Sequence, residues 1–164
     1  PHVSRIGVLF TEESEETVNR MTDQIVGSDA QLIALRIDSP EELQERLDEI
    51  FRLADVLVAV PDTNIYSSVV VPRIIFQAIR YGRPFVGLSR NFTEAGALFS
   101  LDCDYEDTGR QAAEMALKIL SGRRPKVRIQ SPRRFTATIN LHTARLLGLK
   151  IDSRVLEDFQ VLTY

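Results

Sequence analysis

Apolar residues in this chain fall into two patterns, short continuous runs and stripes spaced three or four apart, and their alternation predicts strands separated by helices. Arg5-Ile-Gly-Val-Leu-Phe10 is an apolar run bounded by polar residues and reads as a buried strand. Val18, Met21, Ile25 and Val26 then recur at helical spacing. Ser14 stands where an N-cap belongs, Glu15 and Glu16 complement the helix dipole in the first turn, and Gly27 is placed to end the helix. Residues 31–37 predict a second strand. Ser39-Pro-Glu-Glu42 sets an N-cap, a proline at the first helical position and a glutamate at the third. Leu43, Leu47, Ile50, Phe51 and Ala54 form the apolar stripe of the helix that follows. Residues 55–60 are nearly all apolar, as a strand covered on both faces requires.

The second half repeats the pattern. After a polar loop over 61–67, Ile74, Ile75, Ala78 and Ile79 suit a helix beginning near Val71 or Pro72, and residues 84–88 suit a fourth strand. Asn91-Phe-Thr-Glu94 matches a capping box ahead of the small-residue turn Ala95-Gly-Ala97. A strand around 98–101 leads to a helix over 107–121, with Ala113, Ala116, Leu117 and Leu120 on one face and Gly122 as its stop. A basic stretch over 123–134, a strand over 135–139, a short helix capped by Asn140 and a polar tail complete the chain. Strands separated by helices argue for an α/β fold of three layers with a mostly parallel sheet and right-handed crossovers. Val8, Leu9, Ile33, Leu35, Val56, Val58 and Val86 are its expected core. Residues 3–150 read as the single lobe and 151–164 as a C-terminal tail.

Composition narrows the chemistry. A chain of 164 residues, 44% hydrophobic and 26% charged, makes one compact domain. Twenty Lys and Arg against 23 Asp and Glu give a net charge of −3, which excludes a polybasic trap for nucleic acid or anionic membrane. Gly122-Arg-Arg-Pro-Lys-Val-Arg128 is basic, but no aromatic residue interleaves it and Pro125 breaks the run, so it reads as a solvated connector. Cys103 is the single cysteine, and its neighbours Asp102 and Asp104 raise rather than lower a thiol pKa. No apolar run approaches the roughly 20 residues of a spanning helix. Residues 1–5 lack the layout of a signal peptide, and a start at Pro suggests a processed or trimmed piece. His2 and His142 lack metal-ligand spacing, and neither G-x-G-x-x-G, a P-loop nor a G-x-S-x-G elbow occurs, so no metal, cofactor or catalytic activity is expected. The glycosylation sequon Asn91-Phe-Thr93 is equally well explained as a cap.

In an open parallel sheet, ligands gather at the carboxyl ends of the strands, which singles out the loops over 11–14, 62–67 and 89–96. They offer hydroxyls and acids first, then Asp62, Asn64, Tyr66 and Ser67, then Ser89, Arg90 and Asn91. The same residue types are ordinary turn formers and helix caps, and both readings stand.

Four separated blocks carry a resemblance. Val60-Pro-Asp-Thr-Asn-Ile-Tyr-Ser67, then Arg83-Pro-Phe-Val-Gly87 with Ser89-Arg-Asn-Phe-Thr-Glu-Ala-Gly-Ala-Leu98, then Thr108-Gly-Arg-Gln-Ala-Ala-Glu114, then Ile139-Asn-Leu-His-Thr-Ala-Arg-Leu-Leu-Gly-Leu149 resemble the substrate-binding proteins of ABC transporters, of the tryptophan/tyrosine and uncharacterised types. In that family two flavodoxin/Rossmann-like α/β lobes of the periplasmic binding protein-like I fold close on a small, commonly amino-acid-like solute and deliver it to a permease. By resemblance this chain is the second lobe with its C-terminal crossover segments, and a first lobe is missing. The resemblance implies a ligand set of Phe10, Thr11, Ser14, Asp62, Asn64, Tyr66, Ser67, Ser89, Arg90, Ala95 and Gly96, with Thr11 and Ser67 standing where relatives often carry Asn. It implies no cofactor, no metal and no catalysis, a periplasmic location, and an ABC permease or the missing first lobe as partner. The helix over 107–121, which packs on the first lobe in two-lobed relatives, is then left uncovered and expected to pair two copies into a homodimer. The alternative function is a detached ligand-sensing or interaction module of a signalling protein. A flavodoxin-like enzyme subunit is a third, weakened by the lack of a cofactor loop.

Overall fold

A computed structural model describes residues 3–123 and 129–163. His2 and the expected connector residues Arg124, Pro125, Lys126, Val127 and Arg128 lie outside the described residues.

The run around Val8 and Leu9 forms β1 (Arg5–Phe10), with both side chains fully buried. It is followed by α1 (Glu15–Ile25), β2 (Gln31–Arg36), α2 (Leu43–Leu53), β3 (Val56–Val58), α3 (Val71–Tyr81), β4 (Phe85–Gly87), α4 (Arg90–Ala95), β5 (Phe99–Cys103), α5 (Tyr105–Leu120), β6 (Phe135–Asn140), α6 (Leu141–Leu146), α7 (Ser153–Leu156) and β7 (Phe159–Leu162). One sheet of seven strands runs in the order β2-β1-β3-β4-β5-β6-β7. From β2 to β5 every neighbour is parallel.

Strand order and handedness set the layers. The step from β1 to β2 moves one way and the steps from β2 onward move the other, so right-handed crossovers put α1 on one face and α2, α3 and α4 on the opposite face. Gly7, Leu57, Phe85 and Gly87 share that second face through the strand register. α2 presses directly on Gly7, where a Cβ would come within 2.8 Å of Ala54 and Ile50. The first face is less complete. Val8 is fully buried, whereas Val56, Val58 and Val86, expected as core, are half-buried, as are Ile33 and Leu35 on the α2 side near the sheet's β2 edge.

Local readings shifted where side chains found other partners. Glu94 pairs with Arg90 at 2.7 Å instead of closing a capping box on Asn91, and α4 begins two residues earlier, with Ser89 rather than Asn91 at its N-cap position. α5 begins at Tyr105 rather than at 107, because Asp104 is the cap and accepts the Asp107 N–H at 2.9 Å. Asn140 caps α6 as read, accepting the Thr143 N–H at 3.0 Å.

The largest departures lie past β5. β6 runs antiparallel to β5, and β7 pairs parallel to β6 within the segment read as a polar tail. Leu162 is buried there, and Phe159 meets Phe99 edge-on with ring centroids 6.0 Å apart. The intervening α5 does not return over the sheet: Asp107 is its only buried residue, and Leu117, Ile119 and Leu120 are 66%, 56% and 82% exposed. The excursion leaves and re-joins the sheet at one point, where the Asp104 N–H donates to the Arg134 carbonyl at 3.1 Å. Arg133 braces this neck, its guanidinium donating to both Asp107 oxygens at 2.8 and 3.0 Å and to Glu114 at 3.0 and 3.1 Å.

Candidate functional site

Strand order reverses direction between β1 and β3, and the loops leaving those two strands flank the crevice that such a reversal opens. Asp62, two residues past the apolar Val60, lies in that crevice and is only 3% exposed. Its Oδ2 accepts the Thr11 N–H at 2.8 Å, the Thr11 hydroxyl at 2.9 Å and the Ser14 hydroxyl at 2.6 Å, and its Oδ1 accepts the Asn64 N–H at 3.1 Å. Burial pushes this carboxyl upward, but the Ser14 and Thr11 hydroxyls and the two backbone N–H groups outweigh it, and the net displacement is below the ordinary carboxylate value. Ser14 leaves its expected capping bond unmade, since its hydroxyl serves Asp62.

Two clefts open along this edge. The larger, about 740 Å³, lies between the loops leaving β1, β2 and β3 and is bordered by Thr11, Glu12, Glu13, Asn64, Arg36, Asp38 and Ser39 over an apolar floor of Ile37, Leu43, Ile65 and Val70. Three of its charged side chains are engaged: Arg36 bridges Asp38 at 2.7 Å and Glu15 at 3.2 Å, and Glu13 accepts from the Thr63 N–H and hydroxyl and from the Asn64 carboxamide. The smaller, about 290 Å³, lies between the ends of β3 and β4, with walls of Tyr66, Val71, Pro72, Phe92 and Ala95 and a rim of Ser68, Ser89 and Asn91. An aromatic row underlies it, Tyr66 on Phe85 and Phe85 on Phe92, each pair with centroids 6.3 Å apart. The Tyr66 hydroxyl donates to the Leu9 carbonyl at 3.3 Å, and burial pushes its pKa far above the ordinary phenol value, so it stays a neutral donor.

The expected ligand set thus divides. Thr11 and Asn64 border the larger cleft, and Tyr66, Ser89 and Ala95 the smaller. Asp62 and Ser14 are enclosed between the loops, and Phe10 is half-buried at the end of β1. The Ser67 hydroxyl and carbonyl accept the Val70 N–H at 3.3 and 3.1 Å, which sets the start of α3. Arg90 reaches Glu94 and the Gln160 side chain. Gly96 closes α4 at φ +121°, a conformation L side chains rarely adopt, with Ile75 3.0 Å from where a Cβ would stand. Arg36, Asp38 and Ser39 were missed. Ser39-Pro40 read only as a helix start, although the end of β2 is a strand end like the others. Among the described residues no group of three or more His, Cys, Asp or Glu is placed to hold a metal ion.

The family model for "ABC transporter substrate binding protein" matches residues 1–161. A curated relative, the tyrosine-binding protein of Clostridioides difficile (strain R20291), is 26% identical over 126 residues, covering 75% of this chain and 36% of that protein. Among solved structures, a conserved domain protein from Vibrio cholerae O1 biovar El Tor superposes with a TM-score of 0.75 at 24% identity, covering 98% of this chain and 55% of that one. An ABC domain in complex with L-Trp from Streptococcus pneumoniae gives a TM-score of 0.73 at 21% identity over 98% of this chain and 57% of its own. The ligand-free, open structure of a substrate-binding protein with adhesive properties from Clostridium difficile gives 0.74 at 21% over 99% and 55%. The chain therefore spans about a third of the curated relative's length and just over half of each solved one.

Proposed function

This chain belongs to the ABC transporter substrate-binding protein family, and from that premise we propose that it is one lobe, residues 3–150 with the β7 segment appended, of a receptor that binds a small amino-acid-like solute without chemistry. The observation that carries this reading is the pair of clefts on one sheet edge, each an apolar floor with a polar rim, the form small-molecule sites take. L-Trp in one solved neighbour and tyrosine in the name of the curated relative make aromatic amino acids the first candidates. Thr11, Asn64, Tyr66, Ser89 and Ala95 are the proposed solute contacts, joined by Ser39, Ser68 and Asn91. The mechanism is closure of a second lobe over this edge, a hinge motion that traps the solute and asks no side chain to act as acid, base or nucleophile. We propose that such a receptor works outside the cytoplasmic membrane, in the periplasm, with a permease as its partner, a reading that family membership supports. Among the described residues no helix is long and apolar enough to cross a membrane.

Calorimetric titration of this chain with a panel of amino acids, L-Trp and L-Tyr first, tests the reading. The expected result is weak, saturable binding, because one wall of a cleft leaves half of the solute's polar groups in water. Nanomolar binding by a monomer would overturn the one-lobe picture, and no binding across the panel would overturn the solute class.

A further inference from the structure

The acceptor capacity of Asp62 is taken up from inside the protein. One oxygen receives three hydrogen bonds between 2.6 and 2.9 Å, the other receives one at 3.1 Å, and the carboxylate is 97% buried. A carboxylate so engaged has little left to offer a solute. The donors come from both sides of the crevice, Thr11 and Ser14 following β1 and Asn64 following β3. Glu13 repeats the tie from the opposite direction: its Oε2 accepts the Thr63 N–H at 3.0 Å and the Asn64 carboxamide at 3.0 Å. Each loop therefore lends the other an acid. With its Nδ2 committed to Thr11 and Glu13, the Asn64 side chain borders the cleft in a fixed orientation.

We infer that Asp62 is a positioning residue, which locks the loops following β1 and β3 into one preformed wall of the cleft and does not itself touch the solute. Charge-assisted hydrogen bonds to hydroxyl and backbone donors are strong enough for this, and no cation need enter the crevice to balance the carboxylate. A wall fixed before binding spares the solute the ordering of two loops. The inference rests on the solute-binding reading, and the experiment separates the two.

Asp62→Asn, Ser14→Ala and their double variant are made in the full chain. Without solute, hydrogen exchange is followed in peptides covering 10–17 and 60–68. Either single substitution is expected to speed exchange in both loops by about tenfold while α2 is unchanged, as a cooperative local opening would. A change confined to the substituted loop would overturn the tie. Affinities are then measured for L-Trp and for indole-3-propionate, which lacks the ammonium group. Both ligands are expected to weaken by a common factor, about three- to tenfold, in either single variant, and the double variant to be no worse than the weaker single, because the residues act as one unit. Weakening of L-Trp alone in Asp62→Asn would show direct contact with the ammonium group and overturn the inference. So would unchanged affinities beside a lowered melting temperature, which would mark the network as structural only. If the unsubstituted chain binds neither ligand, the two affinities are measured with the panel amino acid that does bind and its deamino analogue; if none binds, the solute reading fails while the exchange data still decide the tie. Should Asp62→Asn not fold, Ser14→Ala alone decides, since it removes one donor to Asp62 and leaves every proposed solute contact in place.

Discussion

At Gly7 the backbone of β1 and the side chains of α2 are too close for any Cβ, so Gly7→Ala must push Ile50 and Ala54 outward. The expected loss is about 1–3 kcal/mol, the usual effect of overpacking, read as a lower urea midpoint with an unchanged slope. Asp55 makes a second residue-scale prediction. Its carboxylate accepts the Ser4 and Arg5 N–H groups at 3.2 and 3.0 Å and pairs with the Arg5 and Arg83 guanidiniums at 2.8 and 3.3 Å. The hydrogen bonds from Arg5, against the opposing effect of burial, hold it well below the ordinary carboxylate value. A folded-state pKa depressed in this way adds stability that is present above the unfolded-state value, about 3.9, and is lost as pH falls below it toward the folded-state value. Asp55→Asn should therefore lower the melting temperature at pH 7 and flatten its decline between about pH 4 and pH 2; a parallel decline in both proteins would reject the role. Asp62 was legible in the sequence as a candidate site residue and Asp55 was not, and the hydrogen-bond partners of neither were. Asp55 and Asp62 bracket the same apolar strand, and only the fold reveals that one sits at the foot of the sheet facing arginines and the other at its head facing hydroxyls.

Elements were easier to read than their surroundings. Periodicity placed the helices from α1 to α3 and the strands from β1 to β4, because each repeats the spacing its burial demands. It left the direction of β6 open, and one antiparallel pair sits within the mostly parallel sheet that it implied. A helix that packs on the sheet carries the chain across and returns it parallel, whereas α5 stays off the sheet and brings the chain back beside its point of departure. The composition of α5 does not announce this: its stripe of Ala113, Ala116, Leu117 and Leu120 would serve equally for packing on this sheet, on another lobe or on a second copy. β7 was missed because a four-residue strand at the sheet edge, next to charged residues, has too little alternation to detect. The exposed face of α5 leads to the expectation that the isolated chain self-associates about a two-fold axis, since apolar patches beyond about 300 Å² are seldom left open on monomers. Light scattering at tens of micromolar should give a dimer, and Leu117→Glu with Leu120→Glu should return it to a monomer; a dimer that survives both substitutions would place the interface elsewhere. Arg133→Met, which breaks the brace to Asp107 and Glu114, should raise amide exchange through the first turns of α5 while leaving β5 and β6 protected.

For the molecule as a whole, the two clefts and the crevice between β1 and β3 follow from strand order, which sequence periodicity implied only through the rule that strand ends collect ligands. The neck at residues 104 and 134 makes the chain modular. β5 and β6 already meet there as antiparallel neighbours, so the chain between them is a detour that the sheet does not need. Replacing residues 105–133 by Asn-Gly would turn the two strands into an ordinary hairpin of the type that favours this dipeptide. Loop-closure entropy alone would then favour the folded state by about 2 kcal/mol, set against the loss of the Arg133 brace. The truncated protein should fold, keep its strand-edge clefts and lose any tendency to dimerise through α5. The same neck is a point at which a segment of another length or sequence could be grafted into this chain without cutting a strand.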